Sequence, residues 1–223
     1  MRTIWTGMLL LLLAACGEES YHYPSVRLEF MTAVIGEEGR VASVLTDDGV
    51  LHTVMDDRSG ILADADTFVR IVSNYESIRD ADGNEGVRLY AALSTISPVP
   101  KPRSEFKGDI KTDPVELQSI WLGKGYLNLL LGVKAQSGKH QFHFIEEEKS
   151  TDEASGCVTV KLRLYHDAAD DVEAYTKRAY LSIPLWSYTD GKYSEVKVRF
   201  LLETYSAGEK EYTFDYLSEN LKE

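Results

Sequence analysis

Three histidines, a short acidic loop and one internal cysteine are the residues whose types could do chemistry. Asp80-Ala81-Asp82-Gly83-Asn84 matches the first three ligand positions of a Ca²⁺ loop. The match then ends. Glu85 stands where glycine must make the sharp turn, and Ala91 where a bidentate glutamate must close the site. A hairpin turn is the preferred reading, and Asp167, Asp170 and Asp171 around Ala168-Ala169 read as a second solvated turn. His140, His143 and His166 are of the type that binds zinc. Yet His140-Gln141-Phe142-His143-Phe144 alternates like a strand, which sends residues three apart to opposite faces. No metal and no cofactor is assigned. Cys157, in Gly156-Cys157-Val158-Thr159-Val160, reads as a small half-buried strand residue, since no activating histidine lies nearby in the sequence. Gly-x-Ser-x-Gly does not occur. No catalytic residue is assigned, and an enzyme is not expected.

The aromatic residues offer a different chemistry, that of contact. Trp121, Tyr126, Trp186, Tyr188 and Tyr193 could form a platform for a glycan or a protein. Trp121 and Tyr126 bracket a Gly-Lys-Gly turn beside apolar strands, and Trp186 follows Ile183-Pro184-Leu185, so core packing is preferred for both tryptophans. Tyr188 and Tyr193 flank Thr189-Asp190-Gly191-Lys192, read as a hairpin tip, and are expected to be exposed. The candidate ligand contacts are Tyr188, Tyr193, Trp121 and Trp186.

The one residue with a definite chemical role is Cys16. Met1–Cys16 reads MRTIWTGMLLLLLAAC: a positive start at Arg2, an apolar core from Met8 to Leu13, then two small residues. This is a secretory signal peptide, too short to span a membrane. Leu13-Ala14-Ala15-Cys16 resembles a bacterial lipobox. There the thiol takes the lipid and the chain is cut before it. Residues 1–15 are thus expected to be removed and 16–23 to form a lipidated tether, anchored stably by several acyl chains. Gly17-Glu18-Glu19 lacks the aspartate that commonly retains lipoproteins at an inner membrane, so the outer membrane is expected, with the face left open.

Composition bounds the partners. The chain has 223 residues, 36 acidic against 24 basic, and a net charge of −12. That balance opposes a partner recognised through its phosphates, so nucleic acid is not expected. Lipidation of Cys16 leaves Cys157 alone, without an intramolecular disulfide, so the fold must stand on its core.

Period-two alternation runs through the rest. Val26–Val34, Arg40–Leu45, Val50–Met55, Phe68–Tyr75 and Val87–Ile96 read as strands, with Asp47-Asp48-Gly49 a hairpin turn. Five short strands over residues 24–97 suit a small OB-like barrel, with a small sandwich as the alternative. Residues 98–108 open with three of the six prolines and read as a semi-rigid linker. Residues 109–223 carry strands at Leu117–Leu122, Tyr126–Lys134, His140–Glu146, Val158–His166, Lys177–Ile183, Glu195–Thr204 and Glu211–Tyr216, the pattern of an antiparallel β-sandwich. Asp113-Pro114 could cap one helical turn over 113–118. The fold class is all-β.

Asp113-Pro114-Val115-Glu116-Leu117 followed by Ile120-Trp121-Leu122-Gly123-Lys124-Gly125-Tyr126-Leu127-Asn128 is similar to the central signature of NigD-like lipoproteins. So are Leu164-Tyr165-His166-Asp167, Tyr180–Leu185, Val26–Phe30 and the lipobox. The resemblance implies an OB-like N-terminal domain, a β-sandwich C-terminal domain and, from the family's name, a role in immunity to a bacteriocin. It supplies no catalytic residues. The function expected is that of a non-enzymatic cell-envelope lipoprotein, membrane-anchored, binding an envelope protein or an extracellular ligand. A surface glycan-binding accessory is the alternative.

Overall fold

The computed structural model describes residues 26–189 and 193–218; the leader, Cys16, the tether and the Asp190–Lys192 tip lie outside the described residues. Five strands close the first barrel: β1 (Arg27–Ile35), β2 (Val41–Thr46), β3 (Leu51–Asp57), β4 (Phe68–Arg79) and β5 (Glu85–Ser94), in the order β1-β2-β3-β5-β4. Neighbours are antiparallel except β3 and β5. Alternation fixes the interior. Met31, Ala33 and Ile35 of β1 meet Val44, Ile71, Val87 and Leu89 inside. Leu28, Phe30 and Thr32 take the opposite, outer face. Asp47-Asp48-Gly49 turns β2 into β3, with Gly49 at φ +88°, the left-handed conformation the tight turn needs. Asp80–Asn84 likewise turns β4 into β5, and the Asp80 carboxylate accepts the Asn84 N–H at 2.8 Å.

The second unit is a sandwich. One sheet has three strands, β11 (Tyr175–Pro184), β8 (Tyr126–Ala135) and β7 (Glu116–Gly123), in that order. The other runs β13 (Gly208–Leu217), β12 (Glu195–Thr204), β10 (Cys157–Asp167), β9 (Gln141–Asp152), β6 (Lys101–Pro102). β10 pairs with β12 in parallel, as β6 does with β9. That second sheet is therefore mixed, where strand spacing alone suggests antiparallel pairing throughout. Leu127, Leu129 and Leu131 of β8 meet Val158, Val160, Leu162 and Leu164 of β10 across the core. Cys157 is buried at the start of β10.

Two expectations are corrected. Residues 98–108, read as a semi-rigid linker, carry the short strand β6 at Lys101–Pro102. Ile96 pairs with Leu181 of one sheet, and Lys101 and Pro102 pair with Ile145 and Glu146 of the other, so the segment laces one side of the sandwich. No helical turn forms at Asp113–Gln118, because Val115 bridges to Thr204 and is fully buried, which holds the backbone extended. Its pairing outweighs the local cap.

Candidate functional site

Leu127, Leu129, Leu131 and Val133 of β8 and Ala179, Leu181 and Ile183 of β11 face the sandwich core, while Tyr126, Asn128, Tyr180 and Ser182 on the other face meet barrel residues. On that second face three polar side chains interrupt apolar strands: Arg70 within Phe68-Val69-Arg70-Ile71-Val72, Asn128 within Leu127–Leu131, and Ser182 between Leu181 and Ile183. They meet at the joint between the domains.

The Arg70 side chain is 3% exposed. Its Nη2 donates to Asp47 Oδ1 at 2.5 Å and to Asn128 Oδ1 at 3.0 Å, and its Nε to Ser182 Oγ at 3.3 Å. Asn128 Nδ2 donates to Asp47 Oδ2 at 2.7 Å, and Ser182 Oγ to Asn128 Oδ1 at 2.7 Å. The Tyr126 ring lies 4.3 Å from the guanidinium carbon, a cation–π contact. Gly123 is required beside this hub, since a Cβ there would strike the Asp47 carboxylate and the Asn128 amide. A planar guanidinium satisfies such a fork where a lysine could not. Sequence reasoning placed Asp47 only in a turn and missed the hub; the signal available was the lone polar residue inside each apolar strand.

Beside the hub a cleft of about 710 Å³ opens between the domains. The barrel supplies Asp47, Asp48 and Phe68; the sandwich supplies Lys124, Tyr126 and Trp186. Phe68 is 73% exposed and Trp186 52%. A smaller recess shares Phe68, Arg70, Tyr126 and Trp186. The cleft is thus an aromatic surface beside the buried Arg70–Asp47 ion pair. The Thr46 hydroxyl lowers the Asp48 carboxyl from its ordinary value, keeping it an acceptor.

The four candidate contacts divide. Trp186 lines the cleft and is exposed, against the expectation of core packing. It opens the short 3₁₀ turn Trp186–Tyr188, which puts its ring outside and Tyr188 inside. Tyr188 is accordingly corrected from exposed to buried, at 5% exposure under the Lys149 ammonium. Trp121 is half-buried, edge-on to Phe30 at 5.0 Å, in a separate recess. Tyr193 packs half-buried on the sandwich core. Phe68 was not singled out from the sequence, where it reads as an ordinary strand residue. Two Ser-x-x-Lys spacings, Ser104–Lys107 and Ser194–Lys197, are exposed, outside the desolvated surroundings that activate a lysine base.

The histidines also separate. His143 contacts Phe106 and Tyr165, while His140 and His166 face each other with 2.8 Å between Nδ1 and Nε2. Among the described residues no three His, Cys, Asp or Glu side chains are placed to hold a metal. His166 stacks on Phe142 at 4.5 Å, and burial pushes its pKa below the ordinary value. A histidine kept neutral by folding stabilises the protein above its unfolded pKa of about 6.5 and ceases to do so as pH falls through the lower folded value. His166→Gln should therefore flatten the loss of stability below pH about 6.5 in urea melts. An unchanged acid slope would contradict this role.

A closed five-stranded barrel docked through a buried arginine onto a β-sandwich defines the class: a two-domain all-β protein with a cleft at the joint. A family model for the NigD-like C-terminal beta sandwich domain matches residues 97–216. The chain belongs to the NigD-like family. It is 35% identical to a NigD-like immunity protein from Bacteroides caccae, with a TM-score of 0.72, covering 88% of this chain and 99% of that one. A Parabacteroides distasonis protein described as a candidate toxin-related protein shares the fold at 19% identity and TM-score 0.67, over 87% of this chain and 94% of that one. So does a Bacteroides fragilis protein described as a candidate lipoprotein, at 12% identity and TM-score 0.56, over 88% of this chain and 100% of that one. No curated protein matches the chain.

Proposed function

We propose that this chain is a non-enzymatic lipoprotein of the outer membrane that binds a partner protein in the cleft between its domains. The observation that carries the reading is the pair of exposed rings, Phe68 and Trp186, contributed by different domains to one cleft. A few anchor residues, tryptophan prominent among them, carry most of the affinity in protein contacts. The name of the Bacteroides caccae relative supports immunity to a bacteriocin as the form the role takes. A lipid anchor at Cys16 is supported by the leader sequence and by the Bacteroides fragilis likeness. Among the described residues no helix is long and apolar enough to cross a membrane.

Recovery of the lipidated protein from native envelopes, with mass spectrometry of what accompanies it, tests the reading. One reproducible partner of toxin or transport type is expected. A second reading, a glycan in the same cleft, is favoured by the Asp48 carboxylate beside the two rings. It gains if no protein accompanies the chain and a glycan screen gives binding. The anchor has its own test: Cys16→Ser should lose metabolic palmitate label and leave the membrane fraction. Label retained in that variant would refute lipidation at Cys16.

A further inference from the structure

β11 is the outer strand of its sheet, bounded by β8 on one side. Its register decides which backbone groups point to the other side. The Tyr180 carbonyl accepts the Ile96 N–H at 2.9 Å, and the Ser182 N–H donates to the Ile96 carbonyl at 3.0 Å. A strand residue sends its N–H and C=O the same way, and alternate residues share that direction. Thr176 and Arg178 therefore aim both groups at the open edge, with the Tyr180 N–H beside them. Ile96 occupies the edge only at Leu181; the chain then leaves for β6. Tyr175 to Arg178 stay exposed.

A groove of about 390 Å³ runs along this free edge. Leu93, Val133, Phe142 and Ala179 give it apolar walls. Lys139, Lys177 and Arg178 supply its charge, in a chain whose net charge is −12. Among the described residues none of these three cations forms an ion pair, and Lys177 Nζ donates to the Gln136 carbonyl. The opposite sheet ends on β13, whose Glu209, Lys210, Glu211 and Asp215 present mixed charge, the usual protection of an exposed edge.

We propose that the β11 edge accepts an extended acidic segment of a partner protein as an added strand, continuing the pairing that Ile96 begins. Backbone hydrogen bonds to Thr176, Arg178 and Tyr180 hold the segment, as in other strand additions. Its alternate side chains fill the apolar groove, and its carboxylates meet Lys139, Lys177 and Arg178. The surface is separate from the Phe68–Trp186 cleft, so either reading can fail without the other.

A phage-displayed random dodecapeptide library, panned on the full lipidated chain in detergent, tests it. Recovered peptides should be rich in Asp and Glu. Arg178→Pro removes one outward N–H and leaves the bonds to β8, which come from the odd-numbered residues; proline is tolerated at such an edge position. Binding of the recovered peptides should fall at least tenfold in Arg178→Pro with its melting temperature preserved. Should that variant fail to fold, Lys177→Glu with Arg178→Glu must shift the selection from acidic to basic peptides. Enrichment of no acidic peptide, binding undiminished by Arg178→Pro, or a selection unmoved by the charge reversal overturns the proposal.

Discussion

Arg70→Met lowers the unfolding free energy by about 3 kcal/mol, the scale for removing one partner of a buried pair. For a chain of this length that corresponds to a fall of roughly 6–12 °C in melting temperature. The substitution keeps the apolar stem and deletes the guanidinium. The Asp47 carboxylate then retains the Asn128 amide but loses its cation, while Asn128 and Ser182 lose a donor at the bottom of the joint. Arg70→Lys recovers only part of the loss, because an ammonium cannot reach Asp47, Asn128 and Ser182 in one plane. Arg70→Met combined with Asp47→Leu recovers more, since no unpaired charge remains at the joint. The barrel should suffer first. Its described core holds nine buried apolar residues against twenty in the sandwich, so it relies more on docking. Amide exchange should show barrel strands losing protection ahead of β8 and β10. Wild-type stability in Arg70→Met would mean that the hub holds nothing.

Removing the two exposed rings acts in the opposite manner. Phe68→Ala and Trp186→Ala should each weaken partner binding about 30-fold, the equivalent of about 2 kcal/mol for an anchor residue. The double variant should lose the partner in envelope recovery altogether. Stability should move by no more than about 0.5 kcal/mol, since exposed side chains carry little of it. Stability without binding separates a contact surface from a structural one. A double variant that still recovers the partner in full would place the contact elsewhere.

Much of the architecture was legible because strands with one buried face repeat every second residue. Val158, Val160, Leu162 and Leu164 mark β10 as plainly in sequence as in space. The turns at Asp47–Gly49 and Asp80–Asn84 were legible from residues that tolerate positive φ. The joint was not, because it depends on which outer faces meet. Arg70, Asn128 and Ser182 stand 54 to 112 residues apart across their contacts, and no local pattern joins them. The parallel pairing of β10 with β12 is equally non-local. Trp186 and Tyr188 were misjudged for a narrower reason. Trp186 read as core because it follows Ile183-Pro184-Leu185, and Tyr188 as exposed because it precedes a turn, but a 3₁₀ turn over the two directs Trp186 outward and Tyr188 inward. The exposed ring that matters in the cleft, Phe68, begins a strand whose pattern says nothing of its neighbour across the joint.

The most direct test of the cleft is photocrosslinking in native envelopes. A benzophenone amino acid replaces Phe68, Trp186 or Leu62 in turn; Leu62 is 72% exposed and lies outside the cleft. After irradiation one adduct of the same mass is expected from positions 68 and 186 and none from 62. No adduct at 68 and 186, or an equal one at 62, would contradict binding between the domains.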